Sequence, residues 1–230
     1  MRMFSALPNG RMKTLIYQHF TPDKRIKDKK KNIYFKCMST VERYANNIGC
    51  DYIQNNRTFI KGYHPVWECF RILEDNMFLE YDKVLFIDAD VFAPNTDDNR
   101  IFENYDGFVA CKVMTNERTR TRPEYTKYGP DFFNSGVMLI DRESNLKLRE
   151  LDPVSFREQY KNVVPGRDQL ALNMMAKQAF GGYTQFDPDD ACYFTEPNMS
   201  KAIFVHVAGR LRSEYTKDEQ RWDKLFDVNT

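Results

Sequence analysis

Two aspartates, Asp88 and Asp90, end an apolar run of strand length that begins at Lys83. Residues two apart on an extended chain project to the same side, and Ala89 between them is small. Two close carboxylates repel each other unless a cation joins them, so a hard divalent metal suits this pair. Such an ion could neutralise a diphosphate and stabilise it as it leaves. The alternative interpretation is that both aspartates cap a turn.

The elements before this motif predict a parallel sheet covered by helices. Short apolar runs alternate with segments of helical spacing, and Pro65 is suited to a first helical position. Strands are predicted at residues 14–17, 51–53 and 83–88, and helices at residues 33–48 and 65–79. This alternation is typical of α/β folds, whose ligands bind beyond the carboxyl ends of the strands. The paired aspartates therefore lie at the expected position of a ligand crevice.

The second half of the chain predicts a more mixed arrangement. Strands are predicted at residues 108–111, 136–140 and 202–207, and helices at residues 154–160 and 168–177. Residues 113–131 are polar and rich in arginine and threonine, which predicts a long loop. Two readings of this loop stay open: a mobile solvated segment, or part of an acceptor site that uses Arg118, Arg120 and Arg122.

Composition narrows the class of protein. The 230 residues, 42% of them hydrophobic, predict one globular domain over residues 1–230, or one domain of a longer protein. The net charge of +1 argues against a nucleic-acid partner. Five scattered cysteines without a CxxC pair predict free thiols in a reducing compartment. No apolar run reaches the roughly 18 residues that span a bilayer, and no signal peptide begins the chain, so a cytoplasmic location is expected.

Four segments, in this order, are similar to motifs of glycosyltransferase family 8, the glycogenin-like enzymes. They are YDKVLFIDAD at residues 81–90, FFNSGVMLI at residues 132–140, GRDQLALN at residues 166–173 and VHVAG at residues 205–209. The resemblance implies a GT-A fold, which is a mixed, mainly parallel sheet flanked by helices. It also implies metal-dependent transfer of a hexose-type sugar from a UDP-sugar donor to a hydroxyl of a carbohydrate or glycan acceptor.

The resemblance assigns a metal site and a sugar side to the pocket. Asp88, Asp90 and His206 match the family's metal ligands, and the metal is usually manganese. An imidazole ligand makes manganese easier to accept than magnesium, which stays the alternative. The sugar side, near the reacting carbon, is assigned to Asn134, Ser135, Asp168 and Gln169, whose side chains can donate and accept hydrogen bonds to several hydroxyls.

The remaining donor contacts are expected from the first strand, the helix before the metal motif and the late motif. These candidates are Tyr17, Gln18, His19, Arg71, Ala89 and Gly209. The family's late motif continues to a lysine that binds diphosphate, and this chain lacks it. Arg210 and Arg212 are the candidates to replace that lysine, because guanidinium pairs well with phosphate oxygens.

The expected reaction is attack by an acceptor hydroxyl on the anomeric carbon. The resemblance implies retention of configuration, whereas inversion would need a carboxylate base such as Asp131 or Asp168. A non-catalytic nucleotide-sugar-binding module is the main alternative function. A dehalogenase-type phosphatase is a weaker one, since its Asp-x-Asp usually follows the first strand. A nucleotidyltransferase would usually show a glycine-rich, basic N-terminal loop, which this sequence lacks.

Overall fold

A computed structural model describes residues 12–21, 28–95, 97–112, 132–163, 167–193 and 201–207 of the protein. The strands are β1 (Thr14–His19), β2 (Asp51–Asn55), β3 (Lys83–Asp88), β4 (Val91–Phe92), β5 (Phe108–Lys112), β6 (Phe133–Asp141), β7 (Thr184–Gln185), β8 (Ala191–Tyr193) and β9 (Phe204–His206). The helices are α1 (Asp28–Ile48), α2 (Arg71–Glu74), α3 (Arg100–Glu103), α4 (Arg142–Glu150), α5 (Pro153–Tyr160) and α6 (Arg167–Phe180).

In the described ranges, these strands form two sheets. The larger one has six strands in the order β2-β1-β3-β6-β5-β7, and the smaller one has three in the order β4-β9-β8. Strands β1, β2 and β3 run parallel, whereas β6 is antiparallel to both β3 and β5. The predicted α/β fold with a mixed, mainly parallel sheet is therefore confirmed.

Both faces of the large sheet are buried. Leu15 and Tyr17 of β1 belong to a core cluster on one face, and Ile16 between them belongs to a cluster on the other. Alternate residues of a strand project to opposite faces, so a continuous apolar run fills both layers. The first face packs against α6 and the segment around Trp67, and the second against α1 and α3.

The single helix predicted for residues 65–79 is wrong in its extent. A 3-10 helix (Pro65–Phe70), the short helix α2 and a second 3-10 helix (Asn76–Glu80) replace it. Asp75 is extended between them, with φ −98° and ψ 123°, and its side chain accepts a hydrogen bond from the backbone N–H of Met77. Arg149 of α4 donates to the carbonyls of Ile72 and Asp75. Because Arg149 supplies hydrogen bonds to these carbonyls, they do not need the backbone N–H groups of a further helical turn.

Four cysteines are buried free thiols: Cys37, Cys50, Cys69 and Cys111. Burial raises the pKa of the Cys37 and Cys69 thiols well above the usual value, which keeps them protonated. Cys192 lies in β8, and its side chain is outside the described set. Among the described residues, no helix combines the length and the apolar character that a bilayer crossing requires.

Candidate active site

Asp88, Asp90 and His206 meet at the carboxyl end of β3. Each offers one ligand atom, and these three atoms lie within 4.8 Å of one another. Nε2 of His206 is 3.2 Å from Oδ1 of Asp90 and 3.8 Å from Oδ2 of Asp88. The Asp90 and His206 side chains are buried, while the Asp88 side chain is 42% exposed and opens the group to solvent.

The small sheet brings the histidine to the aspartates. Strand β4 begins directly after Asp90 and pairs antiparallel with β9, so that Val91 lies opposite His206. The backbone N–H of Val207 donates to the Asp90 carbonyl over 2.9 Å. A chain separation of more than a hundred residues is thus closed by backbone hydrogen bonds. The group joins the last residue of a large-sheet strand to the last residue of a small-sheet strand.

The donor set fits a divalent metal ion. Two carboxylate oxygens suit a hard cation, and the imidazole nitrogen favours manganese over magnesium. The histidine ring also has a fitted place, because a Cβ added at Gly136 would lie 2.3 Å from its Cε1 and 2.6 Å from its Nδ1. Asp88, Asp90 and His206 are therefore the residues that would hold the ion.

A second polar cluster joins β6 to the first turns of α6. Nδ2 of Asn134 donates to Oε1 of Gln169 over 3.0 Å, and Oγ of Ser135 donates to Oδ2 of Asp168 over 3.2 Å. The backbone N–H of Gly136 donates to Oδ1 of Asn134 over 2.8 Å. The structure thus brings together all four residues that were expected on the sugar side.

A bulge in β6 coincides with this cluster. In the pairing with β5, Ala110 lies opposite Met138, but Cys111 lies opposite Asn134. The intervening β6 residues, from Ser135 to Val137, consequently stand opposite no β5 residue. Bulges bend a strand and redirect its side chains, and they are frequent beside active sites. The deviation lets β6 contribute to the site without losing its pairing with β3, where Val137 lies opposite Ile87.

Asn173 holds the two halves of this cluster together, and the sequence reasoning left it without a role. Its Oδ1 accepts from the backbone N–H of Phe133 over 2.9 Å. Its Nδ2 donates to the carbonyls of Phe133 and Gln169, over 3.0 and 2.7 Å. The sequence carries part of this signal, because an asparagine four residues after Gln169 lies on the same face of a helix.

The carboxyl end of β1 lies beside the metal group. His19 is opposite Asp88 in the register of β1 and β3. Gln18 is buried, donates from Nε2 to the Asp88 carbonyl over 3.2 Å, and accepts from the Tyr52 hydroxyl over 2.7 Å. Gln18 thus fixes the backbone that carries the first aspartate.

His19 remains neutral near pH 7. Burial, and then the positive charge of Arg71, lower its pKa to about 4. Its Nε2 is 2.7 Å from the Thr21 hydroxyl. A neutral imidazole can both donate and accept a hydrogen bond, which suits contact with an uncharged part of a ligand.

Tyr17 and Arg71 lie behind the site. Tyr17 is fully buried and packs edge-on against Phe78, with ring centroids 5.0 Å apart. The Arg71 guanidinium forms an ion pair with Asp75 at 3.0 Å and lies 4.9 Å from the Phe59 ring. Burial raises the pKa of Tyr17, while Arg71 acts in the opposite direction. In the described part of the chain, neither residue lines the cleft that contains the aspartates.

That cleft has a volume of about 270 Å³. Its floor contains Asp88, Ala89 and Asp90, with His19 beside them. Further lining residues that the sequence reasoning did not select are Phe20, Thr21, Tyr34, His64, Pro65 and Val66. Phe20 and Tyr34 stack with ring centroids 4.8 Å apart, which gives the cleft an aromatic wall. Gly209, Arg210, Arg212, Asp131 and the whole stretch 113–131 lie outside the described residues.

The mixed sheet, the paired aspartates at the end of its third strand and just after it, and the histidine beside them agree with the class that the four motifs imply, the GT-A fold glycosyltransferases. The family model described as glycosyl transferase family 8 matches residues 10–178, and the chain belongs to this family. It is a transferase, as the four motifs predicted. No curated protein matches the chain in sequence.

Solved structures share the fold at low sequence identity. A glycosyltransferase involved in glycosylation of the major capsid of PBCV-1 has 16% identity and a TM-score of 0.63, over 89% of this chain and 99% of that one. The galactosyltransferase LgtC, in complex with donor and acceptor sugar analogs, has 16% identity and a TM-score of 0.53, over 94% and 96%. The glycosyltransferase GlyE of Streptococcus pneumoniae TIGR4 has 16% identity and a TM-score of 0.54, over 94% and 63%.

Proposed function

We propose that the protein transfers a hexose-type sugar from a UDP-sugar to a hydroxyl of a carbohydrate or glycan acceptor, with Mn²⁺ bound by Asp88, Asp90 and His206. The observation that carries the proposal is the convergence of these three side chains, two of which, Asp88 and Asp90, line a cleft. A divalent ion held there would neutralise the charge that develops on the departing diphosphate. The metal, UDP and the cytoplasmic location stay predictions.

The donor is proposed to lie in the cleft, with its nucleotide on the side of His19 and the aromatic wall. The neutral His19 ring can hydrogen-bond a base or ribose without adding charge. Ala89 leaves room between the two carboxylates for a ligand to approach. Arg210 and Arg212 are proposed to contact the diphosphate, as guanidinium groups do.

The sugar of the donor is proposed to contact the cluster of Asn134, Ser135, Asp168 and Gln169. These side chains hydrogen-bond one another, which fixes their rotamers before any substrate arrives. Preorganised groups lose little entropy on binding and orient the reacting carbon for attack. The galactosyltransferase LgtC, which shares the fold and was crystallised with donor and acceptor sugar analogs, supports a sugar donor and a sugar acceptor as the substrates.

The test is a panel of UDP-sugars assayed for UDP release with Mn²⁺, with Mg²⁺ and with EDTA. We expect Mn²⁺-dependent turnover of one donor, increased by a carbohydrate acceptor. Donor binding without turnover on any acceptor would favour the nucleotide-sugar-binding module instead. Release of inorganic phosphate from simple phosphomonoesters would favour the phosphatase.

Asp90→Asn tests the metal role directly. The substitution removes one carboxylate but keeps the side-chain shape, so we expect a normal circular dichroism spectrum and no Mn²⁺-dependent donor binding. The control is Asp51→Asn, an exposed aspartate on the edge strand β2. Full Mn²⁺-dependent activity in the Asp90→Asn variant would refute the proposed role of Asp90 as a metal ligand.

A further inference from the structure

Gly136 is a glycine for reasons of space. A Cβ at this position would lie 2.3 Å from Cε1 and 2.6 Å from Nδ1 of His206, and 2.8 Å from Oδ1 of Asn134. Gly136 is not among the glycines with positive φ, so its backbone does not require a residue without a side chain. The fold therefore needs glycine at position 136 because it has no Cβ, which leaves space for the His206 ring.

The space beside Gly136 holds one edge of the His206 ring. The Cε1–Nδ1 edge faces the glycine, while Nε2 lies 3.2 Å from Asp90 and 3.8 Å from Asp88. The His206 side chain is 6% exposed, so the ring is held in a tightly packed site. A side chain at position 136 that displaced the ring would also move Nε2 relative to both carboxylates.

The backbone of the same residue serves the sugar-side cluster. Its N–H donates to Oδ1 of Asn134, and Nδ2 of Asn134 donates to Oε1 of Gln169. Oriented in this way, the Asn134 amide presents its nitrogen to α6 and its oxygen to the chain of β6. Gly136 thus contacts the metal group through the space it leaves and the polar cluster through its amide.

We infer that Gly136 is a positioning residue that sets the His206 imidazole against the two aspartates. The steric part of this inference concerns the fold alone. The effect on metal binding rests on the proposed function. The bulge of β6 makes this contact possible, because residues Ser135 to Val137 are not paired with β5 there.

The first experiment compares Gly136→Ala with Gly182→Ala. Gly182 is the matched control, because an added Cβ there meets nothing within 4 Å and its φ is ordinary. Calorimetric titration with Mn²⁺ alone should show affinity reduced about 10-fold or more in Gly136→Ala, the size typical of losing a group that orients a metal ligand. Gly182→Ala should bind Mn²⁺ like the wild type. Equal affinity in the two variants would overturn the inference.

A double-mutant cycle in EDTA separates the steric claim from metal binding. Urea unfolding is measured for the wild type, Gly136→Ala, His206→Ala and the double variant. The cost of alanine at position 136 should be smaller when residue 206 is alanine, because the imidazole no longer occupies the space. If Gly136→Ala alone fails to fold, recovery of folding in the double variant gives the same result.

An equal cost in both backgrounds, or unfolding in both, would overturn the steric claim and assign the constraint to Asn134 or the backbone. A wild-type protein that binds no Mn²⁺ would instead refute the proposed metal role. The unfolding cycle would still decide whether Gly136 positions the ring, so the two failures are distinguishable.

Discussion

Replacing Asn173 with alanine removes the amide that joins helix α6 to strand β6. The side chain makes three hydrogen bonds, two with the backbone of Phe133 and one with the carbonyl of Gln169. Each is worth about 0.5–1.5 kcal/mol, so the expected loss of unfolding free energy is about 1.5–4.5 kcal/mol. Asn173 is 8% exposed and Phe133 is fully buried, which places the loss in the upper half of that range, because water does not replace the bonds.

Urea denaturation measures this loss, and Gln178→Ala is the control. Gln178 is an exposed amide on the same helix, so its replacement should change stability by less than about 0.5 kcal/mol. For a chain of this length, a loss of about 3 kcal/mol lowers the melting temperature by about 6–12 °C.

The same substitution should separate turnover from metal binding. Loss of the Asn173 bonds lets Asp168 and Gln169 move away from Ser135 and Asn134, so turnover of the donor should fall in the folded protein. The three proposed metal ligands are not on α6, so Mn²⁺ affinity should stay within about 2-fold of the wild type, inside the error of a mutational free energy. A stability loss below about 0.5 kcal/mol, or a parallel fall in metal affinity, would refute this reasoning.

Two further predictions concern the scaffold. Nζ of Lys83 donates to the carbonyls of Phe102 and Tyr105, so Lys83→Met should cost about 3 kcal/mol or more in urea unfolding; a loss under about 1 kcal/mol contradicts this. Burial raises the pKa of Glu68 above its ordinary 4.5, although backbone N–H donors oppose the shift. Its stabilisation, measured against Glu68→Gln, should therefore be greatest below pH 4.5 and decline as pH rises through the raised pKa; a constant difference contradicts this.

The sequence predicted β3 and its acidic end well, because local information determines both. A continuous apolar run reads as a buried strand, and the spacing of Asp88 and Asp90 is a property of neighbouring residues. That His206 lies beside the two aspartates could be predicted only from the resemblance of residues 205–209 to a family motif. That histidine lies beyond residues 10–178, the part matched by the family model.

Other features of the site depend on contacts between distant segments, which a single sequence does not display. The break of the helix at Asp75 follows from hydrogen bonds with Arg149, more than seventy residues away. The aromatic wall combines Phe20 after β1 with Tyr34 on α1, and its rings meet only in the folded chain. The position of Tyr17 near a strand end predicts a donor contact, which stays a prediction; its fully buried ring packs edge-on against Phe78, a contact that the sequence does not display.

The three-stranded sheet is small, and it carries the only histidine of the Asp88–Asp90–His206 group. An ion bound by the group would link this sheet to the six-stranded one, because Asp88 belongs to β3 and His206 to β9. A ligand that binds only the native state stabilises that state. Here it would raise the free energy needed to open β9 locally. Amide hydrogens of β9 should consequently exchange more slowly with Mn²⁺ than with EDTA, and the proposed donor would then bind beside aspartates that the ion holds in place.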